Sequence, residues 1–257
     1  AIERDKVKLE EQSASKEVIE FERGNTTYSI GVINIPTFYA DFKAMQDGDP
    51  NYKSTTRDVR KLIDELKADG VDGVVMDLRN NGGGALHEAN DLVGLFIEEG
   101  PTVQIRNSNN DVQVLNDEDP SVAYDGPLVV LVNGGSASAS EIVAGALQDQ
   151  ERAIVVGNRT FGKGSVQTVL PLSKDRALKL TTARYYTSKG PPIPAEGLEP
   201  DIAVAVFTQI LVREDIHLRS AVFPRLRPYD NVHYAILHKP RLRVEHHYPP
   251  PPSLSLL

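Results

Sequence analysis

The chain of 257 residues contains no cysteine, so it can form no disulfide, and this absence is compatible with either a reducing or an oxidising compartment. Histidine is almost missing from the first 207 residues, where His87 is the single example. No run of about 18 apolar residues is present, and we expect no stable membrane insertion. The net charge of −8 argues against a nucleic-acid partner.

The chain has enough apolar residues to bury a full core, since 40% of its residues are hydrophobic. Short apolar runs that are typical of buried strands alternate with segments of helical periodicity between residues 28 and 206. The segment 54–68, for example, places its apolar residues on one helical face and is followed by Gly70 as a stop signal. This alternation predicts an α/β fold with a mixed sheet and flanking helices.

Two segments carry the residues of a nucleophilic site. The segment 133–141, Asn-Gly-Gly-Ser-Ala-Ser-Ala-Ser-Glu, contains Ser138, and Lys163 follows 25 residues later between Gly162 and Gly164. A serine hydroxyl needs a base to take its proton, and with histidine so scarce a lysine is the available candidate. Burial of a lysine disfavours its charged form, so a lysine that replaces histidine as base is expected to be buried, and a loop of small residues would let its amine approach the serine.

The position of Ser138 in the chain favours this interpretation. The segment 127–132 is an apolar run suited to a buried strand, and 141–148 has helical periodicity, so Ser138 lies at a strand-to-helix corner. Free backbone N–H groups at such a corner stabilise negative charge on a substrate oxygen. The alternative is that Ser136, Ser138 and Ser140 are only candidates for capping the helix.

A second glycine-rich segment, 79–84, follows the apolar run 74–78 and precedes an amphipathic helix. Strand, glycine loop and helix in this order can cradle an anion, but no GxGxxG pattern and no Lys-Ser or Lys-Thr pair accompanies them, so a nucleotide site is weakly indicated. The better use of Gly83 or Gly84 is as a backbone N–H donor opposite Ser138. His87 is expected to be a polar residue of the first helical turn and neither a base nor a metal ligand.

Three motifs together resemble a known family. Asp-Leu-Arg-Asn-Asn-Gly-Gly-Gly at 77–84, Ser-Ala-Ser-Ala-Ser-Glu at 136–141 and Phe-Gly-Lys-Gly-Ser-Val-Gln at 161–167 are similar to the signatures of the carboxyl-terminal processing peptidases, or tail-specific proteases. Their order and spacing agree as well. The resemblance covers roughly residues 28–206 and implies a crotonase-like β/α spiral for the protease core.

The resemblance also implies roles for particular residues. Ser138 would be the nucleophile and Lys163 the general base, with Gln167 helping to hold the lysine. The oxyanion hole would be formed by the backbone N–H of Ala139 and one from Gly84 or Gly83. For Glu141 and Asp149 a structural role is at least as well supported as a catalytic one. No cofactor and no metal is implied.

The two ends of the chain differ from its middle. Residues 1–27 are expected to be a linker or the remnant of an upstream segment. Members of the family that the chain resembles usually carry a PDZ domain upstream of the core. Residues 28–207 are expected to be the peptidase core. Residues 208–257 form a basic tail rich in histidine and proline, and its Tyr-Pro-Pro-Pro-Pro run at 248–252 predicts partial disorder. His246 and His247 fit no metal-ligand spacing.

The sequence therefore predicts a serine endopeptidase that cleaves unfolded or tail-exposed proteins near apolar C-terminal tails through an acyl-enzyme. The resemblance places such an enzyme in the periplasm or cell envelope, or in a thylakoid lumen. Two alternatives stay open: a catalytically silent peptide-binding module of the same fold, and a crotonase-like enzyme acting on acyl-thioesters, against which the lysine loop argues. The oligomeric state is not indicated.

Overall fold

The computed structural model describes residues 12–117, 119–173 and 176–204. The predicted tail, including His246 and His247, lies outside the described residues. The described part is a mixed α/β structure with two sheets and four helices. In chain order its elements are β1 (Ser15–Arg23), β2 (Thr26–Asn34), α1 (Phe42–Gln46), α2 (Thr55–Asp69), β3 (Gly73–Asp77), α3 (Leu86–Gly94), β4 (Gly100–Asn107), β5 (Val112–Asp117), β6 (Leu128–Val132), α4 (Ala139–Asp149), β7 (Ile154–Gly157), β8 (Ser165–Ser173), β9 (Arg176–Thr187) and β10 (Ile202–Ala203).

The larger sheet has six strands in the order β1-β2-β3-β6-β7-β10. Within this sheet β2, β3, β6, β7 and β10 are parallel to one another, and β1 pairs with β2 in the antiparallel direction. Every residue of β3 and β6 is buried, as expected for parallel strands covered on both faces. The second sheet is antiparallel throughout, in the order β5-β4-β9-β8.

Helix α2 joins two of the parallel strands, and it ends at the predicted glycine. Ser54 caps α2 by accepting the N–H bond of Arg57, and Gly70 ends it in the left-handed conformation. The buried face of α2 includes Val59, Ile63 and Leu66, which are inaccessible to solvent. Helices α2, α3 and α4 pack in sequence beside the sheet and close one hydrophobic core.

Strand β1 lies within the segment that was predicted to be a linker. All nine of its residues pair with β2, so residues 15–23 belong to the larger sheet. Their composition concealed the strand, because β1 is an edge strand with mostly exposed, charged residues. The predicted boundary at residue 27 stays a prediction.

Candidate active site

Three loops that carry the predicted motifs meet at one edge of the larger sheet. They follow β3, β6 and β7, which are adjacent and parallel. The carboxyl ends of adjacent parallel strands lie at the same edge, where α/β proteins characteristically place their ligand sites. The glycine loop, the serine corner and the lysine loop, far apart in the chain, are therefore neighbours.

Ser138 is the N-cap residue of α4 and adopts a strained backbone, with φ 58° and ψ −112°. A serine at positive φ costs on the order of 1–3 kcal/mol and persists only where its surroundings impose it. Its side chain is half-buried. Ser138 therefore has the capping role that was the alternative interpretation, with Glu141 completing a capping box, and in addition a strained backbone and a half-buried side chain.

The two neighbouring serines are different, because both are fully buried. The Ser136 hydroxyl donates to the carbonyl oxygen of Leu78 at 2.8 Å, and the Ser140 hydroxyl donates to that of Asn81 at 2.8 Å. Both bonds tie the serine corner to the loop that follows β3. Ser136 and Ser140 are accordingly structural, and Ser138 is the one serine of the three that is only half-buried.

The glycine loop packs directly against Ser138. A Cβ atom at Gly83 would lie 2.8 Å from the Ser138 Cβ and 3.0 Å from the backbone nitrogen of Ala139. No side chain fits there, and Gly83 also has a φ of 102°. The glycine at this position allows the two loops to make backbone contact beside the serine.

Of the predicted oxyanion donors, one already has a hydrogen-bond acceptor and two do not. The N–H of Gly83 donates to Asn81 Oδ1 at 2.9 Å and is therefore occupied. Within the described ranges, the N–H groups of Gly84 and Ala139 donate to no other group. Two donors are thus unpaired, one on the residue after Ser138 and one on the residue after Gly83, so of the two glycines it is Gly84 that has a free N–H group.

Asn81, which the sequence analysis did not single out, organises these contacts. It is fully buried, its Nδ2 donates to the carbonyl oxygen of Ile35, and its own carbonyl oxygen accepts the N–H bond of Ala137 at 2.9 Å. The sequence did contain a signal for this role. An asparagine in a loop after a buried strand commonly accepts a hydrogen bond from the backbone N–H two residues further on.

The segment before α1 holds the other side of the glycine loop. Phe38 forms an isolated parallel bridge with Gly84, donating its N–H to the Gly83 carbonyl oxygen and accepting the N–H bond of Ala85. The adjacent Tyr39 is anchored to α2 through Asp58, and burial together with this hydrogen bond raises the pKa of the Tyr39 hydroxyl. The glycine loop is therefore supported on both faces.

Lys163 lies on the third loop, but its side chain is exposed. The expectation that the lysine is buried is wrong for this structure. The backbone of the loop faces inward instead, since a Cβ atom at Gly162 would lie 2.0 Å from the carbonyl oxygen of Ala195 and one at Gly164 would lie 2.8 Å from that of Ile193. Among the described residues, no hydrogen bond joins Lys163 Nζ to Ser138 Oγ.

The backbone of the lysine loop is held by Glu141, whose side chain is fully buried. Its Oε1 accepts the Thr160 hydroxyl at 2.6 Å and the Gly162 N–H at 2.7 Å. Its Oε2 accepts the N–H bonds of Ser138 and Lys163, both at 2.8 Å. One carboxylate therefore bonds to the serine corner and to the lysine loop.

The remaining predicted residues lie further from these contacts. Gln167 is exposed on β8, beside a bulge between Val166 and Gln167, and forms no hydrogen bond with Lys163 in the described structure. Asp149 Oδ2 accepts the Ser188 hydroxyl at 2.9 Å and the Lys189 N–H at 2.8 Å, which is a structural role.

His87 lies in the first turn of α3, as predicted, with its Nε2 3.5 Å from Glu88 Oε1 and its ring edge-on to Phe42. Within the described ranges, no helix has the length and the apolar character that crossing a membrane requires. The same residues include no group of three or more His, Cys, Asp or Glu side chains arranged to hold a metal ion.

This α/β fold presents a strained serine beside two free backbone donors and a glycine-flanked lysine loop. The family model of peptidase family S41 matches residues 29–204. The chain belongs to peptidase family S41, and the predicted family is confirmed.

Curated relatives agree with this assignment. The chain is 46% identical over 147 residues to a carboxy-terminal-processing protease of Bartonella bacilliformis, covering 57% of this chain and 34% of that protein. It is 39% identical over 207 residues to a tail-specific protease of Haemophilus influenzae, covering 77% of this chain and 27% of that protein. The chain thus spans about a third of the length of these relatives.

Solved structures show the same fold. The photosystem II D1 C-terminal processing protease superposes with a TM-score of 0.63 at 34% identity, covering 74% of this chain and 48% of that one. Mature CPAF, at 18% identity, superposes with a TM-score of 0.58 over 72% of this chain and 49% of that one, and shows likeness of fold alone. The mixed α/β architecture is confirmed, and the crotonase-like spiral stays a prediction.

Proposed function

We propose that this chain is the catalytic core of a serine endopeptidase in which Ser138 is the nucleophile and Lys163 the general base. The observation that carries the proposal is the serine corner, where strained, half-buried Ser138 packs against Gly83 and the next residue of each loop, Ala139 or Gly84, has an unpaired N–H group. Preorganised donors at the place where negative charge develops are the main source of catalysis in acyl transfer.

In the proposed reaction Ser138 Oγ attacks the carbonyl carbon of the scissile peptide and its proton passes to the neutral amine of Lys163. The N–H groups of Gly84 and Ala139 stabilise the oxyanion. The C–N bond then breaks as the lysine returns the proton to the departing amine, which leaves an ester on Ser138. Water attacks the ester carbonyl carbon as Lys163 accepts its proton. The bond to Ser138 Oγ then breaks as the lysine returns that proton to Oγ, which restores the serine and releases the product with a free carboxylate.

The exposed Lys163 has to approach Ser138 for this chemistry. Its backbone N–H and that of Ser138 share Glu141 Oε2, so the two residues are already connected through one oxygen atom. We propose that a bound polypeptide covers the loop and excludes water, which disfavours the charged ammonium. Gln167, four residues further on, would then hold the amine.

We infer the substrate class and the setting from relatives whose names describe processing at carboxyl termini. Unfolded or tail-exposed proteins with apolar C-terminal tails are the proposed substrates. The relatives are bacterial and chloroplastic, and for this chain we propose the periplasm or cell envelope. No metal or organic cofactor takes part in the proposed steps.

Cleavage of an unfolded protein with an apolar C-terminus, in the presence of EDTA, tests the proposal. The wild type is compared with Ser138→Ala and Lys163→Ala, and Lys189→Ala serves as control because Lys189 is an exposed lysine that also precedes a glycine. We expect both site variants to lose cleavage and reaction with a fluorophosphonate, and the control to keep them.

The exposed lysine favours one competing function, a peptide-binding module without catalysis. That module would bind apolar tails equally well in the wild type and in Ser138→Ala, with no covalent labelling of either. Cleavage that persists in Ser138→Ala or in Lys163→Ala would contradict the proposed dyad.

A further inference from the structure

We infer that Glu141 is a positioning residue that sets the distance between the serine corner and the lysine loop. The inference rests on the proposed function and adds a component that takes no part in the bond-making steps. It begins from the Glu141 side chain, a carboxylate with no exposed surface that forms a capping box with Ser138 in the first turn of α4.

A buried carboxylate is costly unless hydrogen bonds replace its hydration. An ionised carboxylate only accepts hydrogen bonds and has about four sites for them. Glu141 uses these sites on four donors: Ser138 N–H, Gly162 N–H, Lys163 N–H and the Thr160 hydroxyl. No cationic side chain is paired with it within the described residues, so the negative charge is balanced by these donors.

The four donors belong to two separate loops. Ser138 comes from the corner between β6 and α4, and the other three come from the loop between β7 and β8. Each oxygen is shared by two donors, and Oε2 is shared between the loops, because it accepts from Ser138 and Lys163. Movement of either loop would therefore break a charge-assisted hydrogen bond of a buried group.

Thr160 extends this arrangement to a third segment. Its Oγ1 accepts the Leu198 N–H bond at 2.7 Å while donating to Glu141 Oε1. The lysine loop is thus fixed on its inner side by Glu141 and, through Thr160, by the chain before β10. The Lys163 side chain is exposed, but the backbone from which it extends is held relative to Ser138 by these hydrogen bonds.

The variant Glu141→Gln tests the inference, because glutamine has the same shape but turns an NH2 group towards two of the four donors. Glu88→Gln is the matched control. Glu88 is also fully buried in the first turn of a helix, but its Oε2 accepts from Ser54 and Thr56, which lie outside the three loops.

We expect Glu141→Gln to lower kcat/KM and the rate of fluorophosphonate labelling by on the order of 10²-fold, the effect of a misplacement of about 1 Å. Amide hydrogen exchange at Gly162 and Lys163 should become faster, measured by NMR at a temperature where both variants are folded. Glu88→Gln should keep the labelling rate per folded molecule and the slow exchange of these two amides.

A second pair of variants keeps the test informative if Glu141→Gln does not fold. Thr160→Val removes one donor and should lower the labelling rate, though by a smaller factor than Glu141→Gln does. Thr160→Ser keeps the hydroxyl and should label at the wild-type rate. Equal labelling in Thr160→Val and Thr160→Ser would overturn the inference.

The failure of the proposed function is distinguishable from the failure of this inference. A wild type that neither cleaves nor labels would refute the peptidase, while the exchange of the Gly162 and Lys163 amides would still report on Glu141. Unchanged exchange in Glu141→Gln, or labelling equal to that of Glu88→Gln, would overturn the positioning role.

Discussion

The substitution Gly84→Ala places a single methyl group where the glycine loop meets the chain before α1. A Cβ atom there would lie 2.0 Å from the carbonyl oxygen of Phe38 and 2.7 Å from its carbonyl carbon. Backbone atoms cannot rotate away as a side chain can, so the bridge between Phe38 and Gly84 has to open. Gly84 also has a φ of 150°, which alanine rarely adopts.

These two effects set the size of the expected change. Strained backbone conformations cost roughly 1–3 kcal/mol, and forcing atoms into a packed site costs roughly 1–3 kcal/mol, so we expect a loss of about 2–6 kcal/mol in the free energy of unfolding. Native proteins have about 5–15 kcal/mol in total, so the loss is a large share of the stability, and labelling is compared per folded molecule. Moving the Gly84 N–H away from the oxyanion should slow acylation of Ser138 on the order of 10²–10³-fold.

Gly82→Ala is the control, because a Cβ atom at Gly82 would meet nothing within 4 Å and the residue has no positive φ. Stability is measured by urea unfolding, and acylation by the rate of fluorophosphonate labelling well below the unfolding transition. Equal stability in Gly84→Ala and Gly82→Ala would refute the packing argument. Reduced stability with an unchanged labelling rate would refute the donor role of Gly84.

Two further predictions concern the base and the end of α4. The kcat/KM of the wild type should rise with pH, since only the neutral amine of Lys163 can accept the Ser138 proton; a profile that falls with rising pH would exclude the lysine as base. Asp149→Ala should cost about 1–3 kcal/mol in urea unfolding, because it leaves the Ser188 hydroxyl and the Lys189 N–H without their acceptor. Its labelling rate per folded molecule should equal that of the wild type, and a loss there would give Asp149 more than a structural role.

The elements that sequence patterns located best are those whose signals are local. Helix α2 begins after Ser54 and ends at Gly70, as predicted, because a cap, an apolar face and a left-handed glycine act within one helix. The buried strands β3 and β6 were recognised as continuous apolar runs, since both faces of each are covered.

Other elements depend on partners that are distant in sequence. Strand β5 has mostly exposed residues and is defined by its pairing with β4, which in turn pairs with β9 some 80 residues away. Strands β4, β5 and β10 were not predicted, and neither was the short helix α1. Their residues carry weak patterns because pairing across the sheet, rather than local preference, selects the extended conformation.

The sequence by itself determined the family, the α/β alternation and the residues on which the chemistry is proposed to depend, because these are properties of motifs and periodicity. Only the tertiary structure decided that Ser136 and Ser140 are buried while Ser138 is only half-buried, and that the N–H of Gly83 is already occupied. It also showed that Lys163 is exposed and that Glu141 bonds to two loops at once. Burial and hydrogen-bond partners are set by contacts between segments far apart in the chain, and no local pattern contains them.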